Sequence, residues 1–400
     1  MIFLKNPYKL AENLYLIDAF DLNVTERTGT YVLTEQELTI IETSASPSIP
    51  YILDGLRKLE LSPEEIKHII VTHIHLDHAG GVGLLLQHCP NAKVIVHPKG
   101  VRHLADPTRL IAGARAVYGD KFDFLFDPIL PVPQEQILIK GHQEELSIGP
   151  DCRLVFYDTP GHANHHFSIY HPKEHGMFVG DTAGISYPQL ERDGVEFYAP
   201  STSPNQFDPN AMLASIEAFE KMNLHAIYFG HFGMSRSPEE VYRQVRFWLD
   251  VFMDEATKVY DEHAEFASQV KLLSTQLMTK VMKHLEEKGV SKNHSVFEII
   301  QMDLEVSAMG LVDYCKRQSS NKVKEIIIYS QPDCPPCEIT KLFLKEHGFS
   351  FSERDIQTDQ KARNELMKKY HSYSTPTIVI GDQVIRGFDL EKLKQILKIK

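Results

Sequence analysis

The chain has 400 residues, 24% of them charged, with a formal net charge of −12 at pH 7. That length exceeds the ~250–300 residues at which a single core stops growing, so two domains and a connector are expected. The acidic balance argues against a nucleic-acid substrate, because phosphates demand a basic footprint, and no run approaches the ~18 apolar residues that span a bilayer.

The start, Met1-Ile2-Phe3-Leu4-Lys5-Asn6-Pro7, lacks a basic segment followed by an apolar one, so no secretory signal is expected. Leu14–Phe20, Thr30–Leu33 and Leu38–Thr43 alternate or run apolar as strands, the last two as a hairpin. His68-Ile69-Ile70-Val71 is a further strand, and it leads into Thr72-His73-Ile74-His75-Leu76-Asp77-His78-Ala79-Gly80. Three imidazoles and a carboxylate within six positions are hard to explain as packing. His73 and His75 share a side while the backbone stays extended, and a turn would aim Asp77 and His78 at a second point. A helix-like segment through Leu84, Leu85 and Leu86 follows.

Residues 98 to 118 read as a helical cap bearing Arg102, His103, Arg109 and Arg115, with His97 just before it. These are either a solvated face or, if they line a pocket, a preference for an anionic substrate. Three more strands each end in glycine and one ligand-type side chain. Gly161-His162 follows Leu154–Tyr157, Gly180-Asp181 follows Met177–Val179, and Gly230-His231 follows Ala226–Phe229. Glycine lets the backbone turn so that the next side chain points into a shared cleft. Tyr187, Tyr198 and Tyr228 could donate to an oxyanion, though aromatic packing is the plainer reading.

From Pro238 to about Gln318 the chain reads as helix. Val241, Val245, Trp248 and Phe252 form one apolar stripe, and Leu272, Leu273, Leu277, Val281 and Leu285 form another. Gly289 and Asn293 break the pattern before a last helix from Ser295 to Lys316. This region is read as structural, with a homodimer contact or a lid over the cleft as the functional alternative. Polar Arg317–Lys322 reads as a linker.

A β-branched run from Val323 to Tyr329 then precedes Ser330-Gln331-Pro332-Asp333-Cys334-Pro335-Pro336-Cys337 and a helical pattern. A C-x-x-C between strand and helix puts the first sulfur at the helix N-terminus, where the dipole stabilises thiolate. Cys334 would attack and Cys337 would resolve the mixed disulfide. A zinc knuckle would need a second ligand pair, and only Cys315 is near. Cys89, Cys152 and Cys315 are read as buried or inert. Five cysteines cannot form a disulfide scaffold, and exchange chemistry fits a reducing cytoplasm, the expected location.

The residues from about Asn13 to about Ser237 resemble the metallo-β-lactamase superfamily. That resemblance implies an α+β fold, an αββα sandwich with a helical extension. It assigns His73, His75 and His162 to a first metal site and Asp77, His78 and His231 to a second, with Asp181 bridging. Glu42 stands where an Asp is more usual. Residues from about 322 to 400 resemble glutaredoxins and related thioredoxin-fold proteins through Cys334–Cys337, Ser374-Thr375-Pro376 and Gly387-Phe388-Asp389. The likeness implies a cis Pro376 against the active disulfide and a binding role for that residue. Pro336 stands where tyrosine is frequent, and Arg386-Gly387-Phe388-Asp389 lacks the doubled glycine of glutathione-binding members. The expected organisation is therefore 1–237, a metallo-β-lactamase-fold domain; 238–318, a helical connector; and 322–400, a glutaredoxin-like domain.

Imidazole and carboxylate donors suit two zinc ions, with iron or manganese as alternatives. A bridging hydroxide would hydrolyse a thioester, ester or lactone, with Asp77 and Asp181 orienting it or moving a proton. The expected partner is a small-molecule substrate such as a low-molecular-weight thiol derivative. Two other readings remain: a mononuclear iron enzyme oxidising persulfides, and a redox partner protein using the metal domain as scaffold. Within the superfamily, Asp181 in place of a cysteine and the lack of an export signal argue against true β-lactamases. Intact His75 argues against flavo-diiron reductases. The run Asp181-Thr182-Ala183-Gly184 departs from the glyoxalase II and persulfide dioxygenase signature. Tyr198–Pro209 looks like a less characterised hydrolase-like branch.

Overall fold

Neighbouring apolar residues on one strand go to different cores, and this alternation builds the layers. Tyr31 and Leu33 face one way and Val32 the other; Ile41 and Ile40, then Ile70 and Ile69, divide in the same manner. Period-two alternation with both sets apolar defines a sheet covered on both faces. The structure, a computed structural model, describes residues 7–321, 325–381, 383–397 and 399. Met1–Asn6, Lys322 and Val323, which figure in the expectations for the start, the linker and the redoxin strand, lie outside the described residues. The chain divides into two units, Met1–Cys315 and Lys316–Lys400.

The first unit holds two sheets. Seven strands lie side by side in chain order: Tyr8–Ala11, Leu14–Asp18, Gly29–Leu33, Thr39–Ile41, His68–Ile70, Lys93–Val96 and Ile137–Ile139. The first four pair antiparallel and the rest join in parallel. The second sheet runs Met234–Ser235, Ala226–Phe229, Gly176–Gly180, Phe167–His171, Cys152–Asp158, Glu145–Gly149 across its width. Between the sheets Tyr31, Ile41 and Ile70 meet Phe156, Phe167, Phe178 and Tyr228. The outer face of the first sheet packs on Ile49, Ile52 and Leu56 of the helix Ile49–Lys58. The outer face of the second, through Val179, Ile227 and Phe229, packs on Met212, Ile216 and Phe219 of the helix Pro209–Lys221. This is the four-layer αββα sandwich that the resemblance implies.

Helices Pro238–Val259, Phe266–Glu287 and Val296–Asn321 share that last core. Val241, Val245, Trp248 and Phe252 are all buried in it, as the stripe predicts. Leu273, Leu277, Val281 and Leu285 are buried too, but Leu272 is 51% exposed and does not belong to the stripe. A four-residue repeat from Leu273 keeps one face inward, and its predecessor in sequence turns about 100° away. The last helix also runs past its expected end at Lys316. Helix continues through Arg317 to Asn321, because that polar run contains neither glycine nor proline to stop it. Among the described residues no helix is long and apolar enough to cross a membrane.

In the second unit the sheet order is Ser352–Asp355, Ile326–Ser330, Thr377–Ile380, Gln383–Arg386, with the first pair parallel and the others antiparallel. Helices Pro335–Glu346, Gln360–Lys368 and Leu390–Leu397 complete a glutaredoxin-like, thioredoxin-fold domain. Its core joins Ile326, Ile328, Ile378 and Ile380 with Leu344 and Leu393.

The extension should matter to the stability of the first unit. Leu277 is fully buried, so Leu277→Ala should cost about 2–5 kcal/mol, while Leu272→Ala should stay within about 0.5 kcal/mol. Urea denaturation of both variants checks this.

Candidate metal centre

Strand ends from both sheets meet at one edge. His73 follows the strand His68–Ile70 in a bend, His75 comes next with extended backbone, and a helical turn, Leu76–Ala79, carries Asp77 and His78. His162 follows strand Cys152–Asp158, Asp181 follows Gly176–Gly180, and His231 follows Ala226–Phe229. Backbone bonds hold these ends together. Phe167 N–H donates to Thr72 O across the two sheets at 3.0 Å, and Gly230 N–H donates to Gly180 O at 3.1 Å. Gly180 has φ +50°, and a Cβ there would collide with His166 and Thr72. At Gly230 a Cβ would lie 2.6 Å from His78 Cε1. Glycine is therefore required at both turns.

The seven expected ligand side chains converge. His73, His75 and His162 form one group whose ligand atoms all lie within 4.8 Å of one another; Asp77, His78 and His231 form a second, and His73, His78 and Asp181 a third that links them. His162 Nε2 lies 2.8 Å from His75 Nδ1, and the ring centroids of His73, His75 and His162 are 4.6–4.9 Å apart. Asp181 Oδ1 is 3.2 Å from His78 Nε2, and Oδ2 is 3.6 Å from His162 Nε2 and 3.4 Å from His231 Nε2. Asp77 Oδ2 is 3.6 Å from His231 Nε2.

Outer partners aim these rings. His162 Nδ1–H donates to Ser201 O at 3.1 Å and His78 Nδ1–H to Glu42 Oε2 at 3.2 Å, turning each Nε2 towards the cluster. Glu42 itself sits at φ +69°, a region that bulky residues rarely adopt, and its Oε1 accepts Thr72 N–H at 3.0 Å. The departure from the family pattern at this position is thus a working one, since the longer side chain bridges ligand and backbone. Ser201 Oγ–H donates to Asp181 Oδ2 at 2.9 Å.

Donor chemistry fits metal. The buried Nε2 atoms of His73 and His78 and Oδ1 of Asp181 have no hydrogen-bond partner among the described residues, a costly state unless a cation sits between them. Burial and then neighbouring imidazoles push His75 down to about 3 and hold His73 well below its ordinary value, so both are neutral and free to ligate. Burial also disfavours charge on His78, yet Asp181, Asp77 and Glu42 outweigh it and raise that imidazole well above its usual range. His231 is raised by Asp181 in the same way. The carboxylates beside His78 and His231 thus favour positive charge at the second group, which a divalent ion would supply in place of the protons.

Sequence reasoning passed over several neighbours. His166 Nε2 accepts Asp181 N–H at 3.3 Å while Nδ1–H donates to Thr159 Oγ1 at 3.0 Å, so it fixes the backbone of the bridging residue. Arg27 pairs with Asp21 and lies 3.3 Å from Asp303, whose other oxygen accepts Tyr187 O–H at 3.0 Å. Arg27 and Asp303 line the cavity above the cluster, which has a volume of about 300 Å3. The one available signal was Asp303 itself, a charge on the inward face of a helix between Ile300 and Leu304. Tyr187, Tyr198 and Tyr228 are buried and absent from the cavity wall, so packing is their role.

In the second unit Cys334 caps the helix Pro335–Glu346; its Sγ accepts Cys337 N–H at 3.3 Å and is bonded to Cys337 Sγ. Thr375–Pro376 is cis. The pairing Tyr329↔Thr377 brings Pro376 to the sheet end from which the Cys334 loop departs. Cys89 and Cys152 are buried and their thiols pushed up, to about 12 and about 11, so they are inert; Cys315 is half-buried and also raised by burial.

A strand-end cluster of histidines and aspartates between two sheets defines a metallohydrolase-like domain. Residues 26–231 match the family model for the metallo-β-lactamase superfamily, just over half of the chain, which therefore belongs to that superfamily. Residues 326–385 match the glutaredoxin model. The metallo-β-lactamase fold-containing protein ST1585 of Sulfurisphaera tokodaii is 28% identical over 226 residues, covering 55% of this chain and 78% of its own. Its crystal structure superposes with a TM-score of 0.52 at 22% identity, covering 75% and 98% of the two chains. The metallo-β-lactamase family protein TTHA1429 of Thermus thermophilus gives 0.54 at 18% identity, covering 78% and 95%. An N-acyl homoserine lactonase of Bacillus thuringiensis is 28% identical over 183 residues, covering 45% of this chain and 61% of its own.

Because Glu42 holds His78, Glu42→Gln should loosen metal at the Asp77–His78–His231 group by about 10–100-fold while keeping the Thr72 bond. Elemental analysis after graded chelator treatment checks this: the variant should lose one metal equivalent earlier than the wild type.

Proposed function

We propose that the first unit is a dinuclear-metal-dependent hydrolase of a thioester, ester or lactone, coupled to a dithiol redox domain. The observation that carries this reading is two ligand groups linked by a third, His73, His78 and Asp181, whose buried His73 Nε2, His78 Nε2 and Asp181 Oδ1 lack a hydrogen-bond partner among the described residues. His73, His75 and His162 would hold one ion, Asp77, His78 and His231 the other, and Asp181 both. Two zinc ions, or iron or manganese in their place, would supply a water acidified from ~15.7 towards ~7 and a Lewis acid for a carbonyl.

The chain's own groups do the rest. Asp181 is fixed by Ser201 and His166, so it orients rather than swings. Asp77 is the more exposed of the two aspartates, at 28% for its side chain against 3%, and faces the cavity, where it can take up and release a proton. Ile74, Leu76, Leu110 and Phe126 wall the cavity with apolar surface and limit competing water. The lactone member of the substrate class is suggested by the N-acyl homoserine lactonases among the relatives. The thioester member is suggested by the Cys334–Cys337 centre on the same chain, because hydrolysis would release a thiol on which a dithiol can act. A small anionic or neutral metabolite suits a chain of net charge −12 better than a nucleic acid does.

Elemental mass spectrometry on protein purified without added metal should find about two zinc per chain. Asp181→Ala and His73→Ala should abolish hydrolysis across a thioester and lactone panel and leave alkylation of reduced Cys334 unchanged. Full-rate hydrolysis by either variant would sink the proposal, and about one iron per chain would redirect it towards persulfide oxidation.

A further inference from the structure

The helix Thr108–Tyr118 lies along the cavity with none of its side chains fully buried. Arg109, Leu110, Gly113, Ala114, Val117 and Tyr118 all line the wall, the i, i+4, i+8 face and its neighbours. The two ends of this face, Arg109 and Tyr118, are nine steps apart, roughly 13 Å at ~1.5 Å per residue. Tyr118, at one end, is half-buried, and Arg109, at the other, is exposed. Both line a cavity whose wall also holds His103, the ligand-type residues His75, Asp77, His162 and His231, and His165, whose ring lies 5.4 Å from that of His75.

Its middle is open and apolar. A Cβ on Gly113 would meet no atom within 4 Å, and Leu110, Val117 and Phe126 flank that space. The positive charges differ in kind. Arg27 is neutralised by Asp21 and Asp303. Arg109 is exposed and, among the described residues, makes no hydrogen bond or ion pair; the acid it acts on, Asp106, already accepts the amide and hydroxyl of Thr108. An exposed arginine is ordinarily a solvated surface group, but this one faces a cavity whose floor is a cluster of metal-ligand type.

Resting on the hydrolase reading above, we infer that the substrate carries a carboxylate, set apart from the scissile carbonyl by an apolar stretch, and that Arg109 binds it from the exposed end of the wall helix. Arg109 is a specificity-determining residue here, acting on affinity and leaving the reacting atoms alone.

Hydroxamates that ligate zinc without touching the disulfide make suitable probes: the monohydroxamate of suberic acid, with its free carboxylate, against the corresponding amide. By calorimetry on the full-length protein with its metal, the acid should bind about five- to tenfold more tightly than the amide, the ordinary reach of a partly screened charge pair. Arg109→Glu should abolish or reverse that preference, leave affinity for the amide within about twofold and leave metal content unchanged. Raising the salt should narrow the wild-type difference. Equal affinity of acid and amide, or a preference that survives Arg109→Glu, overturns the anion site and leaves the hydrolase reading standing. Binding of neither probe overturns both.

Discussion

The centre depends on keeping one carboxylate charged and nearly dry. Asp181 is 2% exposed, and an isolated buried carboxylate would cost several kcal/mol or take up a proton. Against the desolvation that would raise it, His231, His78 and His162 hold it well below the usual carboxylate range. Those imidazoles can do so only if three strand ends from one sheet and one from the other stay in register. The Phe167–Thr72 and Gly230–Gly180 backbone bonds serve that purpose, and so does the left-handed turn at Gly180. The sandwich is thus a frame for bringing charge together where water cannot spread it out.

Much of this was legible because the ligands are local. His73 to His78 is one contiguous stretch, and each remaining ligand follows a strand and a glycine, so a pattern of strand, turn and donor marks them without any knowledge of distance. What joins them was not legible. Arg27 and Asp303 are 276 positions apart, and only the fold makes them a pair. His166 looks like a repeat of His162 in sequence; its task, holding the Asp181 amide, exists only once two neighbouring strands have paired. Glu42 could be seen as a departure but not as a connection. The misplaced helix end at Lys316 has a simpler cause: Arg317–Asn321 is polar, and polarity alone does not end a helix that has no glycine or proline to stop it.

The two units keep their donor chemistry separate. Five imidazoles and two carboxylates make the metal cluster, with no sulfur among them, while the reactive sulfurs sit at a helix N-terminus in the other unit. Thiolate is favoured at that position by the helix dipole and free amides, whereas Cys89 and Cys152 in the sandwich are held protonated by burial.

The cavity wall follows a different rule from its floor. Floor residues are buried, cross-braced and carried by strands; the wall helix Thr108–Tyr118 has no fully buried residue and an open glycine at its middle. Elements with few buried contacts contribute little to global stability and can change without unfolding the rest. The candidate metal ligands are thereby tied to the sheets and much of the cavity wall to a lightly packed helix. That division explains why the metal ligands could be read from sequence by their pattern, while Arg109 could be read only as one of several basic residues on a helical cap, and the fold alone separates it from Arg102 and Arg115 by placing it on the cavity wall.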